Sequence, residues 1–258
     1  MNIKALLLTS LTIITVTVDA APATRAELTM TFLKGNRLYA EGDYSGARDA
    51  YLAVVNSGVS SPAVYYNLGN ACYKLNKIGE AVLYYEKAHR LSPRDPDINL
   101  NLEIARMATV DDIEPLPRNI LFKLADRFQE STSLNEKINW ALAGYLGFFI
   151  GLHLLLFDHR AGRRRAWKTI KWLGLAVFIV FSASSASQVI AERNKPAAII
   201  QSDIAKVRAQ PIPGGEEIFT IHAGTKVLVE EKRREWLEIR LEDGKYGWVP
   251  RDVLETVP

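Results

Sequence analysis

Two long apolar runs, separated by a short basic segment, dominate the hydrophobic pattern of the chain. Residues 139–157 read NWALAGYLGFFIGLHLLLF, and residues 172–190 read WLGLAVFIVFSASSASQVI. Each run has 19 residues, which as an α-helix extends about 28 Å, close to the roughly 30 Å hydrocarbon core of a bilayer. The pattern predicts two transmembrane helices that form a hairpin. The alternative is a pair of buried helices in a soluble domain.

The segment between the runs, residues 158–171, carries a strong positive charge. It holds six Arg or Lys residues against the single acid Asp158. A short loop this basic stays in the cytoplasm under the positive-inside rule. We therefore predict that the parts of the chain before residue 138 and after residue 191 both lie on the opposite side of the membrane.

Small residues occur on both apolar runs. The first run has Gly144, Gly147 and Gly151, and the second consists only of Ser and Ala over residues 182–187. Membrane helix pairs favour small residues because their backbones then approach closely. The sequence therefore predicts that the glycine face of the first helix packs on the small face of the second.

The first 20 residues have the pattern of a secretory signal peptide. Lys4 is followed by the apolar run ALLLTSLTIITVTV, and the small residues Ala20 and Ala21 provide a cleavage site. An uncleaved N-terminal anchor is the alternative. Both readings export the segment that follows, in agreement with the orientation inferred from the basic loop.

Residues 24–108 contain a repeat with a period of 34 residues. Gly35, Ala47 and Tyr51 recur as Gly69, Ala81 and Tyr85, and a half repeat follows. This period, with Gly in a first helix and Ala plus an aromatic residue in a second, resembles the tetratricopeptide (TPR) repeat. The resemblance implies an all-α solenoid in which these residues form the packing core.

Other side chains of the first helices point to a binding groove. The candidates are aromatic and amide residues: Phe32, Asn36, Tyr39, Tyr66, Asn67, Asn70 and Tyr73. A carboxylate clamp, as some TPR domains have, would need cations where Phe32, Asp97 and Asn101 stand. We therefore expect the groove to bind an extended segment or a helix of another protein.

Residues 109–138 connect the repeats to the first apolar run. Acidic residues and prolines over 111–117 end the repeat helix, and apolar residues then recur at helical spacing from Ile120 to Phe128. This amphipathic helix either packs on the repeats or lies on the membrane surface. Ser133 with Glu136 forms a capping box, so the first spanning helix is predicted to begin there.

The C-terminal residues 196–258 have the short alternating runs and turn signals of an all-β domain. Their order, including Trp236 and the run DGKYGWV at 243–249, resembles a bacterial SH3-like barrel. Trp248 is expected in the core. Trp236 is the candidate for a ligand face.

Composition adds few functional constraints. The net charge is +3, and residues 158–171 alone hold six basic residues against one acid. The rest of the chain is therefore slightly acidic, and nothing indicates a nucleic-acid partner. Cys72 is the only cysteine, so no intrachain disulfide forms. The sequence has no paired carboxylates, metal-ligand spacing, nucleophile motif or phosphate loop. We expect no enzymatic activity, no cofactor and no metal.

The order of exported TPR unit, two-span hairpin and SH3-like tail resembles BatE-like TPR/SH3 proteins of the Bacteroides aerotolerance (Bat) group. The resemblance implies a scaffold in the bacterial inner membrane, with both end domains periplasmic and a role in stress or oxygen tolerance. Implied partners are membrane proteins with von Willebrand A domains, and a MoxR-type ATPase is an open alternative on the cytoplasmic side. The competing function is cell-wall attachment, with the SH3-like domain binding peptidoglycan.

Overall fold

The computed structural model describes residues 24–117, 119–158 and 160–257. The predicted signal peptide lies outside this range. The chain folds as five short helices, a linker helix, a hairpin of two long helices and a β-domain. The helices are α1 Arg25–Ala40, α2 Tyr44–Asn56, α3 Pro62–Lys74, α4 Ile78–Leu91, α5 Pro96–Met107, α6 Ile120–Glu130, α7 Leu134–Phe157 and α8 Arg164–Asn194. The strands are β1 Ala197–Ile200, β2 Ile204–Arg208, β3 Glu217–His222, β4 Lys226–Arg233, β5 Trp236–Arg240, β6 Tyr246–Pro250 and β7 Leu254–Thr256.

Helices α1 to α5 form the helical repeat region, in which each glycine of the motif faces a tyrosine. A Cβ added to Gly35 would lie 2.6 Å from the Tyr51 ring, and one added to Gly69 would lie 2.7 Å from the Tyr85 ring. Only glycine permits this approach. The motif residues are therefore packing residues, as predicted. They build the buried core of the region together with Ala47 and Ala81.

The β-domain is one antiparallel sheet of seven strands in the order β3-β2-β6-β5-β4-β1-β7. Its core is the inner face of the sheet, with Val207, Val229, Leu237, Ile239 and Val249 among the buried residues. Six strands match the predicted runs, and β7 was not predicted. It has only three residues and pairs with β1, so its local pattern was too short to recognise.

Helices α7 and α8 pack directly against each other, and both are long and apolar enough to cross a membrane. A Cβ on Gly144 would lie 2.5 Å from the Phe178 amide nitrogen, and one on Gly151 would lie 2.6 Å from that of Lys171. The close approach therefore occurs at Gly174 and its neighbours, not at the predicted Ser and Ala run. Ser184 in that run instead faces Gln129 of α6.

The basic segment between the long helices differs from the prediction. A loop was expected over residues 158–171, but α8 already begins at Arg164. Arg, Lys, Ala and Trp are all compatible with helix, so the helix continues beyond its apolar run. Only residues 158–163 connect the two helices, and three of them form a single 3₁₀ turn.

The β-domain packs against α4 of the helical repeat region. Ile199 and Val257 of the β-domain belong to the same buried cluster as Leu83 and Tyr84. A Cβ on Gly79 would lie 2.9 Å from the Ile200 carbonyl oxygen. We call this combined body, residues 24–117 and 197–257, the head. Its internal interface covers the apolar surface that two and a half repeats alone would leave exposed.

A buried ion cluster lies at the centre of this interface. The Glu86 carboxylate of α4, only 3% exposed, contacts Arg106 of α5 and accepts from Lys226 of β4 at 2.9 Å. Burial alone would raise the pKa of Glu86, but the Lys226 and Arg106 charges outweigh it and lower this pKa to about 2. The carboxylate is therefore ionised and fully paired.

The linker after α5 runs along the β-domain. Asp111 accepts hydrogen bonds from the His222 backbone amide at 2.6 Å and from the Thr225 hydroxyl at 2.5 Å. The Leu116 amide donates to the Glu242 carbonyl oxygen at 3.1 Å. These contacts fix the point at which the chain leaves the head towards α6.

Ion pairs connect the head to the hairpin. Arg90 of α4 contacts Glu192 of α8, and Arg94 contacts Glu136 at the start of α7. Ser133 and Glu136 form the predicted capping box, with the Glu136 amide 3.3 Å from the Ser133 hydroxyl oxygen. Helix α7 thus begins at the level where α4 ends.

Candidate functional site

The predicted groove lies on α1 and α3, and its asparagines are bonded to each other across the repeats. The Asn36 carbonyl oxygen accepts from the Tyr51 hydroxyl at 2.8 Å and from the Asn67 side-chain amide at 3.0 Å. We call this arrangement of one asparagine oxygen with a tyrosine and a second asparagine a rung. It joins the first helix pair to α3.

A second rung repeats the first with the same spacing along the chain. The Asn70 carbonyl oxygen accepts from the Tyr85 hydroxyl at 2.7 Å and from the Asn101 amide at 3.3 Å. Each member lies 34 residues after its counterpart in the first rung. Asn101 also donates to the Tyr66 hydroxyl at 2.7 Å. The two rungs therefore give the groove a regular polar floor.

The remaining groove residues surround this floor. One hollow of about 220 Å³ is lined by Tyr51 and four of the predicted residues: Asn36, Tyr39, Asn67 and Asn70. The other three predicted residues lie outside that hollow, packed at the margin of the core: Phe32, Tyr66 and Tyr73. All seven predicted residues are half-buried. The structure thus gathers four of them at one place and leaves three along the same helices.

The floor still offers donors to a ligand. Within the part of the chain that the structure describes, the amide NH₂ groups of Asn36 and Asn70 donate no hydrogen bond to the protein. Burial raises the pKa of Tyr51 to about 12 and also raises that of Tyr85. Both hydroxyls are therefore protonated donors, and they hold the two asparagine oxygens so that each NH₂ group stays oriented.

The geometry is unfavourable for a carboxylate clamp. The side chains of Asn36 and Asn67 are bonded to each other, and Asn101 is bonded to Tyr66, so these amides are not free to hold a carboxylate. A clamp needs cations as well as amides, and the residues at the expected cation positions are uncharged or acidic. The groove instead suits neutral backbone carbonyl groups.

Sequence reasoning missed the roles of Tyr51, Tyr85 and Asn101. The two tyrosines were recognised only as packing residues, although their hydroxyls form the rungs. The available signal was a spacing of Asn, Tyr and Asn that both copies share. In each copy the tyrosine follows the first asparagine by 15 residues, and the second asparagine follows it by 31. Asn101 was considered only as a missing cation.

A second candidate surface is the outer face of the β-domain. Trp236 is half-buried and lies with its ring centroid 5.8 Å from the Arg208 guanidinium. Trp248 is only 6% exposed, as expected, but it does not belong to the buried cluster on the inner face of the sheet, where it was predicted. Because side chains alternate along β5 and β6, both rings lie on the outer face of the sheet, away from its core. The Arg233 guanidinium lies over Trp248, 5.1 Å from the ring centroid.

Other chemistry is sparse in the described residues. No group of three or more His, Cys, Asp or Glu side chains there is placed to hold a metal ion. Cys72 is buried beside Glu80, and burial raises the pKa of its thiol to about 12. The thiol is therefore protonated and unreactive at neutral pH.

Comparison with known families agrees with the two end domains. Residues 62–95 match the model of the tetratricopeptide repeat, and residues 204–255 match that of the bacterial SH3 domain. No match was found among curated proteins. The first matched segment covers α3 and α4 with Asn70 and Tyr85 of the second rung, and the other covers strands β2 to β6 with Trp236 and Trp248.

Proposed function

We propose that the protein is a non-enzymatic, membrane-anchored adaptor that binds another protein through the TPR groove. The observation that carries this proposal is the pair of rungs, which holds two oriented NH₂ donors on a floor lined by tyrosines. Backbone carbonyls of an extended segment match such donors, and aromatic rings supply the apolar contact area of binding hot spots.

The proposed orientation places the head outside the cytoplasm. Four arginines lie at the connection between α7 and α8: Arg160, Arg163, Arg164 and Arg165. Moving each of these charges through a bilayer costs several kcal/mol. A cysteine introduced at Gly162, where a side chain meets nothing within 4 Å, should react with an impermeant maleimide only after the membrane is permeabilised. Labelling of intact spheroplasts would contradict this orientation.

The Bat resemblance suggests the identity of the partner. Under this proposal the groove binds a periplasmic segment of a membrane protein with a von Willebrand A domain, in an envelope complex for stress or oxygen tolerance. A MoxR-type ATPase on the cytoplasmic side is a further candidate member of the complex. The rungs support the binding mode, while the setting rests on domain order alone.

The test is affinity capture of partners with the detergent-solubilised protein, comparing the double variant Tyr39→Ala/Tyr73→Ala with the unmodified protein. Neither hydroxyl takes part in a rung, so the floor stays intact. We expect partner affinity to fall by about 2 kcal/mol or more, because two half-buried aromatic rings that would contact the partner are lost.

Tyr65→Ala is the matched control for this test. Tyr65 lies on the same helix as Tyr73 with comparable burial, but it faces Leu91 and Ser133 rather than the groove. It should lower thermal stability to a similar extent and leave capture unchanged. Equal capture by the groove variant and the unmodified protein would rule out the groove as the binding site.

The second candidate function is attachment to the cell wall through the SH3 domain. The observation that favours it is the half-buried Trp236 ring beside Arg208 on the outer face of the sheet. Under this function, Trp236→Ala abolishes retention on purified sacculi while Tyr39→Ala/Tyr73→Ala has no effect. Tyr246→Ala, which removes an exposed ring at the far end of β6, is the control.

A further inference from the structure

Helix α6 exposes an apolar face to the outside of the molecule. The exposed fractions are 66% for Ile120, 56% for Leu124 and 37% for Phe128. These residues recur at i, i+4 and i+8, so they lie along one side of the helix. A helix of this kind packed on the repeats would bury that side. Its exposure indicates contact with something other than the head.

The exposed face of α6 continues directly into the surface of the hairpin. The Phe128 ring lies 5.7 Å from the Phe181 ring of α8, and Phe181 in turn lies 6.0 Å from Trp140 of α7. Tryptophan rings at the ends of membrane spans favour the headgroup zone. The apolar side of α6 is therefore at the level at which the hairpin enters the bilayer.

A buried lysine attaches α6 to the hairpin at this level. Lys137 of α7 is fully buried and donates to the Gln129 carbonyl oxygen at 3.0 Å, to the Gln129 side chain at 2.7 Å and to Gln188 at 2.5 Å. Gln129 also contacts Ser184 and Ser187 of α8. These bonds satisfy the ammonium group without water, so α6 is held beside the hairpin.

The charges of α6 lie beside its apolar face. Lys123 and Arg127 are exposed, and helical geometry places both at the edge of the Ile120–Leu124–Phe128 side. Long basic side chains at such an edge bury their stems and extend their charges to lipid phosphates. This arrangement is typical of a helix lying in the plane of a membrane surface.

We propose that α6 is a third membrane-embedded element, with its apolar face among the acyl chains of the outer leaflet. This inference rests on the proposed membrane span of α7 and α8. Lys137 and Gln129 hold the helix against the hairpin, and the linker bonded to the β-domain through Asp111 joins it to the head. The bilayer surface, rather than a second copy or a partner, is the occupant, because the face is continuous with the lipid-facing surface of the hairpin.

The test uses spin labels on full-length protein reconstituted in phosphatidylethanolamine/phosphatidylglycerol vesicles. Single cysteines at Leu124 and Ile120 probe the apolar face, Lys123→Cys probes its polar edge, and Leu146→Cys on α7 reports the span. Cys72 stays unlabelled because it is buried. Collisions with oxygen, which concentrates in lipid, are compared with collisions with a water-soluble nickel chelate.

We expect labels at Leu124 and Ile120 to collide several-fold more often with oxygen than with nickel, as the Leu146 label does, and the Lys123 label to show the reverse. Nickel-dominated collisions at Leu124 would place α6 in water and overturn the inference. Shielding from both reagents would show that protein covers the face, which also overturns it. If the Leu146 label were itself in water, the proposed span would fail together with α6.

Discussion

Asn36 and Asn70 differ from ordinary surface asparagines because each carbonyl oxygen accepts two hydrogen bonds from the neighbouring helices. A half-buried amide held in this way has a fixed orientation, and the tyrosine hydroxyls beneath it stay satisfied. At the scale of single residues, the same side chains therefore contribute both to stability and to recognition. Removing one affects both, so the groove is best probed at Tyr39 and Tyr73.

Removing one member of a rung should destabilise the helical repeat region. A second substitution at its hydrogen-bond partner should partly offset this loss of stability. Asn70→Ala leaves the Tyr85 hydroxyl without its acceptor, and an unsatisfied buried group costs about 1–3 kcal/mol. Tyr85→Phe removes the same hydroxyl. We expect the double variant to be more stable than the sum of the single effects predicts. Thermal unfolding of the four proteins of this cycle measures the coupling, and strict additivity would mean that the bond contributes nothing.

The sequence predicted apolar packing more accurately than polar contacts. The spacing of Gly35, Tyr51, Gly69 and Tyr85 identified the core, because close packing allows only small residues opposite large ones. The same reasoning placed the asparagines in the groove but treated them as free ligands. Whether an exposed amide is already bonded depends on distances between helices, which no local pattern contains.

At the scale of elements, the hairpin is staggered relative to its apolar runs. Gly144 lies beside Phe178 and Gly151 beside Lys171, so the first run, 139–157, lies level with positions 165–183 rather than with the second run, 172–190. Lys168 and Lys171 are therefore beside the C-terminal half of α7. The Lys171 ammonium lies 4.2 Å from the Trp172 ring centroid, and its stem is long enough to reach the headgroups.

Two glycines of α7, one helical turn apart, should respond differently to the same substitution. A Cβ at Gly144 would lie 2.5 Å from backbone of α8, whereas one at Gly147 would have its nearest neighbour at 3.7 Å, an ordinary contact distance. Gly144→Ala should separate the helices and destabilise the hairpin by about 1–3 kcal/mol, and Gly147→Ala should be neutral. Steric-trap unfolding in bicelles gives both values. Equal effects would contradict the helix packing.

At the scale of the whole molecule, a short solenoid is completed by a domain distant in sequence. The β-domain follows the hairpin in the chain, yet Ile199 and Val257 enter the core of the repeats. Two and a half repeats are few to bury a continuous apolar face, but the repeat pattern does not indicate which part of the chain covers that face. That information lies in complementary surfaces, such as Gly79 opposite Ile200, and has no local signature.

Acid should weaken this head through Glu86. Its pKa is about 2 in the folded protein, against an ordinary value of 4.5. Its contribution to the free energy of unfolding is therefore fully present above about pH 4.5 and is lost as the pH falls towards 2. The difference between the two pKa values corresponds to about 3 kcal/mol of stability. Glu86→Gln should be less stable at pH 7 and lose less stability between pH 7 and 3 than the unmodified protein. Thermal unfolding at the two pH values tests this.

Glu255→Gln is the control for the acid experiment. Glu255 forms its ion pair with Lys87 at 2.8 Å in the same interface, but its side chain is half exposed, and exposed pairs contribute about 0–1 kcal/mol. This variant should follow the pH dependence of the unmodified protein. If Glu86→Gln followed that dependence as well, the buried cluster would not be the source of the acid sensitivity.

The equal spacing of the two rungs makes the solenoid extensible. A second copy of residues 62–95 could be inserted directly after Asp95. The Asn67 of the new copy would then take the position that Asn101 now occupies, and would donate to the Asn70 of the preceding copy. Every existing rung would be kept, one would be added, and the last copy of α4 would still meet the β-domain. We therefore expect that the groove can be lengthened one repeat at a time, while the contact of the last α4 with the β-domain stays the same.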